Sequence, residues 1–291
     1  TRVMARLCAE ALNAGIETSH VVSIVRARRL APTAEVDCAA WPWPVRIFVL
    51  GRFEVQLSGA PLAFTGKAPK KPLELLKALI AKGPGAVEQT LIAQDLWADS
   101  EGDAAESAAR MALHRLRKLL GSDETILVQE SKLQINPALC WVDAWAFESA
   151  CRELEPEAMA TSSLTPTEQP RALRLYGGDA FASEALQPWM LAARDRWRGK
   201  FLRAVRIAGQ AQEADANWAQ AIETYESGIR ADPLCEEFYQ ALMLSFLKQG
   251  KTVEAYTAYR RCRDALSITL SVNPSAQTEA IRKQIAMQGV A

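Results

Sequence analysis

The chain has 291 residues with 34 basic and 34 acidic side chains. Zero net charge excludes a histone-like polyanion binder, yet leaves room for a reader that gathers its cations on one face. A 49% hydrophobic content is that of a globular protein, and no apolar run reaches membrane-spanning length, so no membrane partner is expected. His20 and His114 are the only histidines, and Cys8, Cys38, Cys140, Cys151, Cys235 and Cys262 form no C-x-x-C pair. That leaves little for a metal site or a His-based catalytic centre, and the thiols read as reduced groups of a cytoplasmic protein. No P-loop, G-x-G-x-x-G or G-x-S-x-G pattern occurs, so the expectation is a non-enzyme with no catalytic residue, metal or cofactor.

Residues 2–15 and 18–30 carry helical spacing, with Val21, Val22, Val25 and Leu30 opposite Arg26, Arg28 and Arg29, and Gly15 between the two. Two helices bury little alone, so residues 1–30 read as the end of an upstream region or as a pair packed on the domain downstream. The chain starts without a signal peptide or Met, as a piece of a longer protein would. Residues 31–44, with Pro32, Pro42 and Pro44, read as a linker pinned by Trp41 and Trp43.

At Val45 the period becomes two. Residues 46–50 and 53–57 read as strands, Ser58-Gly59 as a turn, and 61–64 as a short strand. A helix from Pro72 shares Leu73, Leu76, Leu79 and Ile80 on one face and stops at Gly83-Pro84-Gly85. A second, residues 87–96, is expected to bury Leu91, Ile92 and Leu96 and leads into Trp97. A third spans 104–120, after an acidic stretch containing Asp95, Asp99, Glu101, Asp103 and Glu106. The alternating segment 126–135 completes an order of strands, three helices and hairpin, which is a winged helix with an extra N-terminal sheet.

Beyond Trp145 the pattern is helical, with a helix over 147–154 and a polar loop over 155–170. Ala221-Ile-Glu-Thr-Tyr225 recurs as Ala255-Tyr-Thr-Ala-Tyr259, an offset of 34 residues, which is the tetratricopeptide period. Asp232-Pro233 and Asn273-Pro274 close successive units. The fold class is therefore mostly α with a small β component: a winged helix-turn-helix domain over 45–147, then an all-α tetratricopeptide-like domain over 148–291.

On the third helix, Ala109, Leu113, Leu116 and Leu120 form an apolar stripe. Ser107, Met111, Arg115 and Lys118 lie opposite with His114 beside them, and Arg110 and Arg117 flank the stripe. A solvated amphipathic helix would also carry such residues. However, residues 110–121 contain four cations and no acid, and Lys67, Lys70, Lys71 and Lys77 cluster before and within the first helix. The candidate DNA-binding set is Lys67, Lys70, Lys71, Ser107, Arg110, Met111, His114, Arg115, Arg117, Lys118 and, on the hairpin, Lys132. Asp103 and Glu106 suit the helix dipole. Asp99 and Glu101 would be repelled by phosphate and are expected to face a protein partner.

The run 45–147, with Ile47-Phe-Val-Leu-Gly-Arg-Phe-Glu-Val55, Leu96-Trp97 and Leu113-His-Arg-Leu-Arg-Lys-Leu-Leu-Gly121, resembles the OmpR-type winged helix of SARP-like activators. The tail resembles their bacterial transcriptional activator domain through Leu175-Tyr-Gly-Gly-Asp179, Pro188-Trp189, Asp232-Pro-Leu234, Gly250, Glu254-Ala255, Tyr259-Arg-Arg-Cys-Arg263 and Asn273-Pro-Ser275. Residues 4–30 with Trp41-Pro-Trp-Pro44 are similar to the segment before this module in MalT-like ATPase regulators, which would place a nucleotide-binding switch and further repeats upstream. One departure is Ser131-Lys-Leu133, where OmpR-type wings carry a Gly-Tyr. The resemblance implies binding to promoter direct repeats and contact between RNA polymerase and the loop holding Asp99 and Glu101. It leaves open a homodimer on DNA and a small-molecule or protein ligand at the helical domain. The other function class that fits is a signalling or scaffolding module whose winged helix no longer reads DNA.

Overall fold

The computed structural model describes every residue except 1, 29, 31, 33–39, 65–67, 99–101, 156–168, 183–186 and 289–291. The chain is mostly helical with a small sheet component, a winged helix-turn-helix followed by tetratricopeptide-like helices. Its contacts divide it into two compact units, residues 1–146 with 180–193, and residues 147–179 with 194–291. Among the described residues no helix is long and apolar enough to cross a membrane, and no group of three His, Cys, Asp or Glu is placed to hold a metal.

The first unit opens with α1 (Arg2–Asn13) and α2 (Thr18–Ala27). They bury Ala5, Cys8, Ala9 and Leu12 against Val21, Val25 and Leu30, and Trp41 completes this small core with Trp43 packed at its edge. The two indole rings lie 6.4 Å apart. Two tryptophans thus supply the apolar surface that a bare helical pair lacks.

Four strands, β1 (Val45–Phe48), β2 (Glu54–Leu57), β3 (Ala60–Pro61) and β7 (Cys140–Val142), form a sheet of order β3-β2-β1-β7. The third is shorter than the 61–64 strand expected. β1 pairs antiparallel with β2, Val45 opposite Leu57, and parallel with β7, Val45 opposite Cys140. Alternation buries Val45 and Ile47 and leaves Arg46 and Phe48 half-buried, where the Arg46 guanidinium lies 4.7 Å from the Trp141 ring centre.

Helices α3 (Lys70–Lys82), α4 (Gln89–Leu96) and α5 (Gly102–Leu119) come next. Leu75, Leu76, Leu79, Ile80, Ile92 and Leu116 are fully buried. Val87–Glu88, expected inside the second helix, instead form β4, which pairs with β6 (Lys132–Ile135) of the hairpin, and β6 pairs with β5 (Ile126–Gln129). Starting the helix two residues later turns Leu91 outward: it is 48% exposed rather than buried. Lys77, grouped with the basic residues by sequence, is only 4% exposed, its ammonium 4.0 Å from the Phe53 ring centre. The hairpin turn Glu130-Ser131 has φ of 48° and 63°. Two positive values are the type I′ geometry that Asn-Gly adopts most easily, so this wing tip is strained and acidic.

α6 (Asp143–Glu153) begins earlier than the 147 expected. The Asp143 carboxylate, buried, accepts from the N–H groups of Val49 (2.9 Å), Leu50 (3.0 Å) and Ala144 (2.7 Å). It meets the first amide of its own helix and fixes the end of β1. Leu50 bridges to Ala180, and Phe181 donates its N–H to the Val49 carbonyl at 3.0 Å, closing the return segment onto the same corner.

The second unit contains α7 (Arg171–Leu175), most of α8 (Pro188–Ala214), α9 (Trp218–Ala231), α10 (Glu236–Lys248), α11 (Thr252–Leu270) and α12 (Ala276–Gln288). Tyr176 stacks on Phe201 with ring centres 4.0 Å apart and donates to Asp179 at 3.2 Å, while Asp179 also receives Arg198. Glu148 accepts from the Trp197 indole at 3.0 Å and Lys200 at 2.9 Å. The repeated alanines, Ala221 on α9 and Ala255 on α11, are both fully buried, with Tyr225 and Tyr259 one turn on. A Cβ on Gly228 would meet the Phe238 ring at 2.7 Å and the Val205 side chain at 2.9 Å, so α8, α9 and α10 close on a position only glycine fills.

Burial pushes the Asp143 carboxyl up to about 6, against the pull of its three N–H donors and of Arg52. The folded state therefore binds more protons than the unfolded chain between the two pKa values, and stability from this group is full below the unfolded value and lost as pH rises through about 6. The stability advantage of the native protein over Asp143→Asn, from urea midpoints at about pH 4.5, 5.5 and 7.5, should shrink with rising pH. An advantage that grows with pH would mean that the N–H donors hold the carboxylate charged throughout.

Candidate nucleic-acid interface

α5 is amphipathic along its whole length. Ala105, Ala112, Leu113 and Leu116 are buried, with Leu120 just beyond its end, and the helix packs on α3 and α4 of the helix-turn-helix. The opposite face presents Ser107, Arg110, Met111, His114, Arg115 and Lys118 to solvent. The first five line a shallow concavity of about 320 Å³. Of the stripe expected from sequence, Leu113, Leu116 and Leu120 are buried and Ala109 is half-buried, and the opposite face is exposed, because a 3.6-residue period needs no tertiary information to be read.

Two groups of cations stand apart between α3 and the hairpin. Lys71 donates to the Leu96 carbonyl at 2.7 Å, pairs with Glu74 at 3.1 Å and lies 5.3 Å from the Trp97 ring centre. Lys70 pairs with Glu74 at 3.7 Å, Lys82 with Asp95 at 2.7 Å and Lys132 with Glu88 at 3.3 Å. Arg117 donates from Nε (3.1 Å) and Nη2 (2.5 Å) to the Ile126 carbonyl, tying the C-terminal turn of α5 to the first residue of β5. By contrast, Arg110, Arg115 and Lys118 have no acidic partner within ion-pair distance among the described residues. An unpaired arginine keeps all its donors available, whereas a paired one must first give up a carboxylate.

Lys67, Asp99 and Glu101 lie outside the described residues. Asp95, which sequence alone groups with the acidic stretch, belongs to α4 and neutralises Lys82. Asp103 and Glu106 are exposed in the first turns of α5, where its dipole favours them. No sequence signal points to the Arg117 contact, since its acceptor is a backbone carbonyl in the following strand. None points to the Lys71–Trp97 contact beyond the Leu96-Trp97 pair itself.

Arg117 and Arg115 should therefore part company on mutation. Arg117→Ala removes charge-assisted bonds to a partly buried carbonyl and should cost about 1–3 kcal/mol. Arg115→Ala, on an exposed face, should stay within about 0.5 kcal/mol of the native protein. Urea unfolding of both variants checks the pair, and equal losses would contradict the assignment.

Comparison with known proteins adds three similarities to this geometry. The chain is 25% identical over 231 residues to the regulatory protein AfsR of Streptomyces griseus, a stretch that is 78% of this chain and 23% of that protein. The chain thus spans about a quarter of that relative's length. It is similar in fold, with a TM-score of 0.60 and 18% identity, to Mycobacterium tuberculosis EmbR in complex with a low-affinity phosphopeptide, over 84% of this chain and 65% of that one. Residues 142–286 match the model of the bacterial transcriptional activator domain.

Proposed function

We propose that the protein is a sequence-specific DNA-binding transcription activator that lays α5 in the major groove. The observation that carries this reading is the charge pairing between α3 and the hairpin. Acids neutralise Lys70, Lys71, Lys82 and Lys132, while Arg110, Arg115 and Lys118 stand unpaired among the described residues on one exposed helix face. A surface helix shaped only by solvation gains nothing from such segregation, but a phosphate- and base-reading helix needs it. In this reading residues 45–147 read DNA, with Lys70 and Lys132 at phosphates, and the helical repeats of 148–291 regulate. Activation follows from binding to promoter direct repeats, as a homodimer, and from contact with RNA polymerase.

A chromatographic test separates this from a scaffolding role. The protein should be held on duplex DNA at about 50 mM salt and leave it by about 300 mM, as counterion release requires. Failure to bind at low salt would favour the scaffold.

Arg115 sits centrally on the exposed face, where its guanidinium can pair with a guanine. Arg115→Ala should reduce binding to a selected site by about 1–3 kcal/mol and leave random DNA nearly unaffected. Equal weakening on both, measured by competition gel shift, would reduce Arg115 to a phosphate contact.

The loop between α4 and α5 supplies the activation half. Converting Asp99 and Glu101 to Asn and Gln removes two charges that phosphate repels, so DNA affinity should hold or rise slightly. Transcription from a dependent promoter should fall. A double variant that activates like the parent would make the loop a solvated connector.

A further inference from the structure

We infer that Met111 is a base-reading residue that packs on the 5-methyl group of a thymine, an inference that rests on the DNA-reading role proposed for α5. Met111 is 56% exposed in the middle of a face otherwise made of Ser107, Arg110, His114, Arg115 and Lys118. Single exposed apolar side chains are common on protein surfaces. What distinguishes this one is its position: it forms part of the same shallow concavity as Arg110, His114 and Arg115, and two of those neighbours are arginines without an acidic partner among the described residues. The buried stripe of α5 faces α3 and α4, and Met111 lies outside that stripe on the exposed face.

The major groove offers donors and acceptors at every base pair, but its apolar feature is the thymine methyl. A thioether is flexible and polarisable and adapts to such a contact without needing one rotamer. Arginines on either side would supply the guanine contacts that fix the register. Met111 and Arg115 are four residues apart, a rise of about 6 Å, and base pairs repeat every 3.4 Å or so. A thymine under Met111 therefore lies within about two base pairs of a guanine read by Arg115. The sites this protein selects should carry that T and G at fixed spacing.

The experiment uses the full chain and a random-sequence duplex library. After selection, each thymine of the enriched site is replaced by uracil, which deletes only the methyl group. One position should weaken native binding about fourfold, the factor that one buried methyl contributes. Met111→Ala should bind the thymine and uracil duplexes equally, whereas Met111→Leu, still apolar, should keep part of the preference. If no sequence is enriched above random DNA, the DNA-reading role itself fails and the inference with it. If a site is enriched but uracil is neutral at every thymine, or if Met111→Ala retains the same methyl preference, the DNA-reading role stands and the role of Met111 is overturned.

Discussion

The buried carboxylate of Asp143 joins parts of the first unit that are far apart in the chain. Its oxygens hold Val49 and Leu50, 94 and 93 residues upstream, at the point where β1 ends. β7, which immediately precedes Asp143, is thereby held parallel to β1, and the return segment at Ala180 and Phe181 closes on the same corner. A parallel pair cannot be made by a tight turn, and here the intervening chain is the entire helix-turn-helix and wing. Fixing both ends of that excursion fixes where α5 and the hairpin emerge. The cost is a desolvated charge, visible in the raised pKa, and the three N–H donors are what make it tolerable.

Much of this was legible in the residues, and the failures have physical causes. The α5 stripe, the hairpin over 126–135 and the 34-residue repeat are periodic features, and periodicity is a local property. Leu91 and Ile92 show the limit: both are apolar and adjacent, yet Ile92 is buried and Leu91 exposed, a difference that depends on how α4 packs after the β4–β6 pairing. Lys77 lies on the helical face that sequence would assign to the core edge, yet its charge suggested solvent. The Phe53 ring, brought in by the sheet, settles it. Nothing in the sequence around Asp143 announces that Val49 and Leu50 share its carboxylate.

The second unit is held differently. Arg206 with Glu237 and Arg261 with Glu226 make paired contacts between helices, but these are exposed and salt bridges of that kind contribute little each. Close approach does more. Gly228 admits Phe238 and Val205, Ala221 and Ala255 occupy equivalent buried positions, and Tyr176 stacks on Phe201. Small residues at the crossings bring large ones into contact over wide areas, which is how helical repeats gain stability from neighbours rather than from one central core.

The charge arrangement bears on how such a protein would discriminate among sites. Zero net charge, with Lys70, Lys71, Lys82 and Lys132 paired to Glu74, Asp95 and Glu88, Lys77 buried and Arg117 on a backbone carbonyl, leaves few cations to release counterions from DNA. Non-specific affinity then starts low, so a larger share of binding energy must come from contacts that depend on sequence, or from a second copy bound beside the first. An acidic, strained wing tip at Glu130-Ser131 points the same way, since it is poorly suited to gripping phosphate. On the proposed reading, specificity rests on the α5 face, where Arg110, Arg115 and Lys118 stand unpaired among the described residues.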